Sequence, residues 1–390
     1  MPVEETVLEG RRISIPGLTD PFPGLRSFER DEEPIFRGRQ QHTDELLRRL
    51  AQHRFLAVVG TSGSGKSSLV RAGLLPALDR GFLAGASSRW RIAVMRPGMA
   101  PIENLAEALH DKDALRAGDA TKLRSSSLGL VESVRDAALA PGESLLVVAD
   151  QFEELFRYAR RMAETEAESE AALFVDLLLM AARRPDSPVY IVLTMRSDFL
   201  GDCTQFPGLP EAMGESLYLI PRLTREQRRQ AIEEPLRMFG ATMTPQLIEQ
   251  LLNDSAAEVI DSSAHQWPGA GVSDPLHLLQ HALMRTYLQW KWRTGRGGEP
   301  IDLGDYERAG RMASALDQHA ETVFAKEFDD AGRVWAERIF RCLTTTQLAR
   351  PIRRPTLLAD LYKIVGTPHQ EDRAKLTKCS GSYSGGKTCL

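Results

Sequence analysis

The stretch FLAVVGTSGSGKSSLVRAGLLPAL, residues 55–78, contains the pattern GxxxxGK[ST] in full. The pattern occupies Gly60, Thr61, Ser62, Gly63, Ser64, Gly65, Lys66 and Ser67, and Ser68 follows it. An apolar run typical of a buried strand precedes the pattern, and a helical periodicity follows it. A glycine-rich turn between a strand and a helix is the context in which this pattern marks a phosphate-binding loop.

The residue types in this turn suit a chain of phosphates. Glycine lets the backbone curl and approach bulky oxygens, and successive N–H groups then form an anion-binding nest at the positive end of a helix. Lys66 supplies a charge for the β and γ phosphates, and the Ser67 hydroxyl is placed to ligate Mg²⁺. The alternative, a glycine-rich turn with a surface lysine, leaves the flanking strand and helix unexplained. The sequence therefore predicts a nucleoside triphosphate with Mg²⁺ in this turn.

The apolar runs of the N-terminal half alternate with helical segments. The runs are FLAVV (55–59), RIAVM (91–95), LLVVA (145–149), VYIVLT (189–194) and LYLI (217–220). This alternation predicts an α/β fold with a parallel sheet covered on both faces. Because RIAVM comes between the phosphate-loop strand and the LLVVA strand along the chain, we expect an inserted strand to separate those two in the sheet. After Pro221 the strands stop, and Thr224 heads a capped helix.

Acidic side chains follow the third apolar run. Asp150 stands at its carboxyl end, where ligands of open α/β sheets bind, and it is predicted to hold Mg²⁺ through water. Glu153 and Glu154 follow within one turn, and either could polarise the attacking water as a general base, with Glu154 preferred. The alternative for both is that they are solvated acids at a helix start, which favour the helix dipole.

The fourth run ends in polar residues. Thr194 and Arg196 stand where this strand leaves the sheet, and we expect them to sense the γ-phosphate, to which a guanidinium is suited. In the alternative interpretation Arg196 caps the strand end and pairs with Asp198.

Composition limits the compartment and the partners. The chain has 390 residues and a net charge of −4, so a nucleic acid is an unlikely partner. Its start is not a secretory signal, and no run reaches the roughly 18 apolar residues of a membrane span, so no membrane partner is expected. The cysteines lack metal-type spacing, which favours free thiols and a cytoplasmic location.

Six stretches together resemble one family. They are PFPGLRSFERDEEPIFRGRQQ, FLAVVGTSGSGKSSLVRAGLLPAL, VMRPGMAPIENLAEAL, LLVVADQFEELF, VLTMRSDFL and DPLHLLQHALMRTY. In this order they resemble the STAND class of signal-transduction ATPases, specifically the bacterial novel STAND type that often precedes WD-repeat propellers.

The resemblance implies further site residues and a domain plan. Phe36, Gly38 and Arg39 resemble the segment that packs near the adenine, and Pro275 resembles the proline that approaches the nucleotide from the helical domain. The implied fold is a P-loop NTPase with the additional-strand, AAA+-like sheet. The expected parts are a flexible arm (1–20), the P-loop domain (21–222), a helical domain (223–300), a winged-helix-like domain (301–365) and an atypical tail (366–390).

The resemblance also implies a function, namely a switch whose ATP or ADP state controls conformation and homo-oligomerisation, with slow Mg²⁺-dependent hydrolysis. Such proteins usually carry repeats or an effector domain, and the tail TKCSGSYSGGKTCL does not look like one. A truncated fragment that binds without signalling, and a sensor repeat protein in trans, are therefore both alternatives. Two others are a nucleotide kinase and a DNA-associated winged-helix ATPase. The latter is suggested by Arg350, Arg353 and Arg354, for which the alternative is surface charge or a contact to bound phosphate.

Overall fold

The computed structural model describes residues 18–81, 89–111, 114–115, 118–159, 166–264, 276–295, 298–328, 330–347 and 350–353. The chain divides into two compact units, residues 1–315 and residues 316–390. Within the described ranges, no helix combines the length and the apolarity that crossing a membrane requires.

A five-stranded parallel sheet forms the centre of the first unit. Its strands are β1 (Phe55–Gly60), β2 (Arg89–Met95), β3 (Glu143–Ala149), β4 (Val189–Arg196) and β5 (Leu217–Leu219). They lie in the order β2-β3-β4-β1-β5. A strand therefore separates β1 from β3, as expected. The separating strand is β4, whereas the run RIAVM belongs to β2 at the edge of the sheet.

Helices cover both faces of this sheet. Those of the first unit's N-terminal part are α1 (Gln40–His53), α2 (Lys66–Ser68), α3 (Leu75–Asp79), α4 (Pro101–His110), α5 (Ala120–Ser125), α6 (Gly129–Asp136), α7 (Glu153–Ala159), α8 (Glu166–Arg183) and α9 (Leu209–Ser216). Two 3₁₀ helices, Arg30–Ile35 and Ser197–Gln205, and a π-helical turn, Leu69–Leu74, accompany them.

The sheet separates two hydrophobic cores because strand side chains alternate between its faces. Ala57 and Val59 of β1 face the core that α4, α6 and α8 cover. Leu56 and Val58 face the other core, which α1 and the helix after the phosphate loop cover. That helix is α2, the π-helical turn and α3 in succession, so the phosphate loop is anchored at both ends by buried structure.

A helical part follows the sheet within the first unit. Its helices are α10 (Arg225–Met238), α11 (Pro245–Ala264), α12 (Leu276–Thr294), α13 (Leu303–Arg308) and the first turn of α14 (Arg311–Glu327). From Leu316 onward, α14 belongs to the second unit. Thr224 caps α10 by accepting a hydrogen bond from the Gln227 N–H, as its sequence predicts. The core of this part includes Tyr306 and reaches Ala315, and the helical-domain bounds 223–300 stay a prediction.

An N-terminal segment, residues 18–29, runs between these two parts; we call it the strap. Phe22 is buried in the core of the helical part, and the Asp20 carboxylate pairs with Lys291 of α12 at 2.8 Å. At the other end of the strap, the N–H of Phe28 donates to Ser68 Oγ at 3.2 Å. The strap thus joins the helical part to the helix that follows the phosphate loop.

The second unit contains α15 (Asp330–Leu343) and an antiparallel pair, β6 (Thr344–Gln347) and β7 (Arg350–Arg353). This pair corrects the expectation that no strand follows Pro221. Each strand has four residues, too few to show a period-two pattern in the sequence. The rest of the predicted winged-helix-like domain, from residue 354 onward, and the tail lie outside the described residues.

Candidate nucleotide site

The predicted phosphate loop connects β1 to α2. Gly63 and Gly65 adopt φ angles of +77° and +85°, which only glycine takes without strain. The Lys66 ammonium donates to the carbonyl oxygens of Gly60 at 3.0 Å and of Thr61 at 2.7 Å. The loop therefore curls around its own lysine at the amino end of a helix.

This turn has room and donors for an anion. A Cβ added to Gly65 would meet no atom within 4 Å. Lys66 has three N–H donors, of which the loop carbonyls take two. The Ser64 hydroxyl is buried and has no hydrogen-bond partner within the described part of the chain. Together with the N–H groups of the first helical turn, which lack helical acceptors, these features fit a bound phosphate chain.

Asp150 connects three elements at the carboxyl end of the sheet. It is 1% exposed, and its Oδ1 accepts hydrogen bonds from Ser67 Oγ and Thr194 Oγ1, both at 2.7 Å. Its Oδ2 accepts from Arg71 Nη2 at 3.2 Å. The predicted metal residues Ser67 and Asp150 are thus in direct contact. Oxygen donors of this kind fit Mg²⁺, although the described residues contain no cluster of three or more His, Cys, Asp or Glu side chains suited to a metal.

Gln151 follows Asp150 in a left-handed conformation, with φ +57°. Such a conformation is uncommon for a residue with a Cβ and marks local strain. Its N–H donates to Thr194 Oγ1 at 3.0 Å, so the buried hydroxyl of Thr194 holds both Asp150 and the turn after it. In this structure Thr194 positions the neighbouring acid, and its contact with a γ-phosphate stays a prediction.

Glu153 and Glu154 begin α7 and point to different neighbours. Burial raises the pKa of Glu153, which is 6% exposed, and the positive charge of Lys66 opposes that rise. Glu153 Oε2 also accepts from the backbone N–H of Arg196 at 3.3 Å. Glu153 therefore lies on the side of the phosphate loop and the end of β4.

Glu154 lies on the side of β2 instead. Burial raises its pKa too, and the guanidinium of Arg96 opposes the rise. The side-chain amide of Gln151 is assigned in the orientation that gives both its nitrogen and its oxygen a hydrogen-bond partner. In this orientation the amide nitrogen donates to Glu154 Oε1 at 3.1 Å, and the amide oxygen accepts from Arg96 Nη2 at 3.3 Å. Glu154 Oε2 is buried and finds no partner among the described residues.

The Arg196 side chain pairs with Asp198, as the alternative interpretation of the sequence expects. Its Nε and Nη2 donate to Asp198 at 3.0 Å and 2.6 Å. Its contact with a γ-phosphate stays a prediction.

The segment predicted to lie near the adenine packs beside the phosphate loop. Arg39 is buried and donates to the carbonyl oxygens of Ser64 at 3.1 Å and Pro221 at 2.8 Å, so it fastens the loop to the end of β5. Gly38 has φ +80° and lies so close to α10 that an added Cβ would be 2.2 Å from the Gln227 carbonyl oxygen. The Phe36 ring packs edge-on against Phe28 of the strap. The predicted nucleotide contact Pro275 lies outside the described residues.

Sequence reasoning missed two arginines of this site. Arg71 contacts Asp150 from the helix after the phosphate loop, and Arg96 lies beside Glu154 after β2. A signal existed for Arg71, because it stands four residues after Ser67 and helical residues at that spacing share a face. Arg96 follows a strand directly, in the position where site residues of a parallel sheet gather.

The chain resembles several solved structures at low sequence identity. No curated protein matches the chain. The ORC2 protein of Aeropyrum pernix, solved as ADPNP–ADP complexes, aligns over 89% of this chain and 81% of its own length, with a TM-score of 0.50 and 12% identity. Cdc6p of Pyrobaculum aerophilum aligns over 88% and 86%, with a TM-score of 0.42 and 15% identity. Domain III of DnaA from Thermotoga maritima aligns over 69% and 89%, with a TM-score of 0.40 and 14% identity.

The first likeness shows a shared fold and confirms the AAA+-like α/β class expected from the sequence. The family model of novel STAND NTPase 1 matches residues 21–378, a span that includes every motif described above. This match confirms the resemblance drawn from the six stretches. The chain belongs to the novel STAND NTPase 1 family.

Proposed function

We propose that this chain binds ATP or ADP with Mg²⁺ at the phosphate loop and hydrolyses ATP slowly, as a switch. The observation that carries the proposal is the 2.7 Å hydrogen bond between Ser67 and Asp150, which joins the phosphate-loop helix to the end of β3 beside the Lys66 ammonium. A serine and an aspartate in contact at the end of a phosphate loop are the pair that holds Mg²⁺ in P-loop NTPases.

Each group of the loop has a part in binding. The first N–H groups of α2 donate to phosphate oxygens, and Lys66 places its remaining N–H between the β and γ phosphates. Burial lowers the pKa of Lys66, with the charge of Glu153 acting against that shift. When bound, Mg²⁺ supplies positive charge at the phosphates. Ser67 and Asp150 would hold it, and Thr194 keeps the Asp150 carboxylate in position.

We assign the general base to Glu153, although the sequence favoured Glu154. Glu153 accepts a hydrogen bond from the backbone N–H of Arg196 at the end of β4, and the Lys66 charge acts on its carboxylate, so it lies on the side where we propose the γ-phosphate. Glu154 is turned toward Arg96 and the edge strand β2. A base must lie within hydrogen-bond reach of its water, so position decides before pKa does.

Two contacts suit the site to a switch. Gly38 brings the adenine-side segment against the start of α10, and the strap connects the phosphate-loop helix with the core of the helical part. A nucleotide between these parts biases their arrangement only by its differential affinity for the two states. We therefore propose that ATP favours an open state that forms homo-oligomers and ADP a closed one, in the cytoplasm, with a sensor repeat protein as a candidate partner in trans.

Calorimetry on the full chain tests the binding proposal. ADP and a non-hydrolysable ATP analogue are titrated with and without Mg²⁺ into the wild type, Lys66→Ala and the control Lys326→Ala, whose lysine is exposed on α14. We expect Mg²⁺ to strengthen nucleotide binding by the wild type and by Lys326→Ala, and we expect Lys66→Ala to lose this binding. Folded wild-type protein that takes up no adenine nucleotide would refute the proposal.

Sedimentation of the same samples tests the switch. A larger mass with the ATP analogue than with ADP, absent in Lys66→Ala, is expected. An equal mass in both nucleotides would remove the oligomerisation step and leave the binding site in place.

A further inference from the structure

Arg71 lies between the predicted metal residue and the strap. Its Nη2 is 3.2 Å from Asp150 Oδ2, and its Nη1 is 2.9 Å from both carboxylate oxygens of Glu29. The side chain is 21% exposed, compared with 2% for Asp150 and 48% for Glu29. One guanidinium therefore bridges a buried acid of the site and a half-exposed acid of the strap.

This bridge changes the charge that Asp150 presents. The Oδ1 atom already accepts from the hydroxyls of Ser67 and Thr194, and Arg71 occupies Oδ2 with a full positive charge. A cation beside a carboxylate weakens the attraction of that carboxylate for a second cation. The attraction is strong here because Asp150 is shielded from water.

The strap sets how much of the Arg71 charge Asp150 receives. Glu29 draws the same guanidinium in the opposite direction, and its place is fixed by the neighbouring Phe28 N–H, which donates to Ser68 Oγ. The other end of the strap is held in the helical part by Phe22. Movement of the helical part can therefore reach Arg71 through a short stretch of ordered backbone.

We propose that Arg71 is a positioning residue of the metal site: it competes with Mg²⁺ for Asp150, and Glu29 relieves that competition. This inference rests on the proposed nucleotide function and names its regulation. Arg71 thereby makes the Mg²⁺ concentration needed for nucleotide binding depend on the strap.

The competing interpretation is that Arg71 contacts a phosphate directly. The two differ in what is lost when the charge is removed. A phosphate ligand contributes to nucleotide affinity even at saturating Mg²⁺. A competitor for Asp150 changes only the Mg²⁺ concentration at which binding is half-complete.

Titration of Mg²⁺ at a fixed concentration of fluorescent ADP analogue tests the proposal. Arg71→Met keeps the apolar stem and removes the charge, and we expect its half-saturating Mg²⁺ concentration to fall about tenfold. Glu29→Gln is expected to raise that concentration about threefold, because Arg71 then has Asp150 as its remaining acid. The matched control is Arg30→Met, since Arg30 directly follows the strap and pairs with Asp79 of α3, outside the site.

The result is decisive in either direction. An unchanged Mg²⁺ midpoint in Arg71→Met, or weaker nucleotide binding at saturating Mg²⁺, overturns the proposal. If Arg71→Met does not fold, Glu29→Gln decides, and an unmoved or lowered midpoint there overturns it. Wild-type protein that binds no nucleotide would instead refute the proposed function, and the two failures are distinguished in one experiment.

Discussion

Replacing Glu153 by Gln tests the assignment of the general base. Glutamine keeps the shape of the side chain and an oxygen that can accept a hydrogen bond from the backbone N–H of Arg196. In the wild type this N–H donates to Glu153 Oε2 at 3.3 Å. The substitution therefore removes the charge and proton affinity while the packing of α7 is retained. ATP binding is expected to persist, because the loop and Asp150 are untouched.

The size of the effect follows from the role. A positioned base contributes roughly 10²–10⁴ in rate, which corresponds to about 2.7–5.4 kcal/mol of barrier. We expect single-turnover hydrolysis by Glu153→Gln to fall within that range. Glu154→Gln is the matched control and should lose less than about tenfold, since Glu154 is turned toward Arg96. A larger loss in Glu154→Gln than in Glu153→Gln would refute the assignment.

The pH dependence provides a second test. Burial raises the pKa of Glu153 above its ordinary value of 4.5. The hydrolysis rate of the wild type is therefore expected to fall as the pH drops through that raised value. Glu153→Gln should not show this fall, because glutamine does not ionise. The free energy of unfolding changes with pH in the opposite direction. It is highest below 4.5, where the carboxyl is neutral in both states, and it falls as the pH rises from 4.5 through the raised pKa, because ionisation is less favourable in the folded protein. At pH 8 Glu153→Gln should therefore melt at a higher temperature than the wild type, and an unchanged or lower melting temperature would contradict the burial argument.

Three further substitutions and one control test the architecture by urea unfolding and calorimetry. Gly65→Ala should cost only about 1–2 kcal/mol of stability, for its left-handed φ, yet abolish nucleotide binding, because its Cβ enters the open space of the loop. Gly38→Ala should cost about 2–5 kcal/mol, because its Cβ collides with the Gln227 carbonyl as well. Asp150→Ala should cost about 3–5 kcal/mol by leaving buried partners without their acid, whereas Asp198→Ala, which breaks an exposed pair, should cost less than about 1 kcal/mol.

The sheet could be predicted from the sequence because each strand is a short apolar run, almost wholly buried in β1, β3 and β4 and partly exposed in the edge strands β2 and β5. The run 55–59 became β1 with one added residue, and 189–194 became β4 with two, since strand ends continue into the site as polar residues. The strand order needed a family resemblance or a structure, because the run between β1 and β3 along the chain lies at the edge of the sheet.

The choice between Glu153 and Glu154 could not be made from sequence. Neighbouring helical residues point about 100° apart, so the direction of each depends on where α7 begins. The strained, left-handed Gln151 sets that beginning, and the buried Thr194 hydroxyl holds it there. Neither the identity of Gln151 nor that of Thr194 predicts this contact from the sequence.

The contact between Arg71 and Asp150 was only partly predictable from the sequence. The spacing of four residues from Ser67 places Arg71 on the correct face, but the intervening π-helical turn, Leu69–Leu74, and the arrival of Glu29 from the strap are properties of the folded chain. Long-range pairs of this kind join segments that are 42 and 79 residues apart.

The strap has a practical consequence for anyone shortening this protein. Residues 18–29 form no helix or strand themselves and resemble a dispensable segment, yet Phe22 is buried in the core of the helical part and the Phe28 N–H donates to Ser68 Oγ. A recombinant fragment that starts at α1 would expose apolar surface in one part and release Arg71 from its outer acid in the other. Affinity tags and fusion partners are therefore best joined upstream of Leu18, the first described residue, which packs against a buried cluster that contains Phe28.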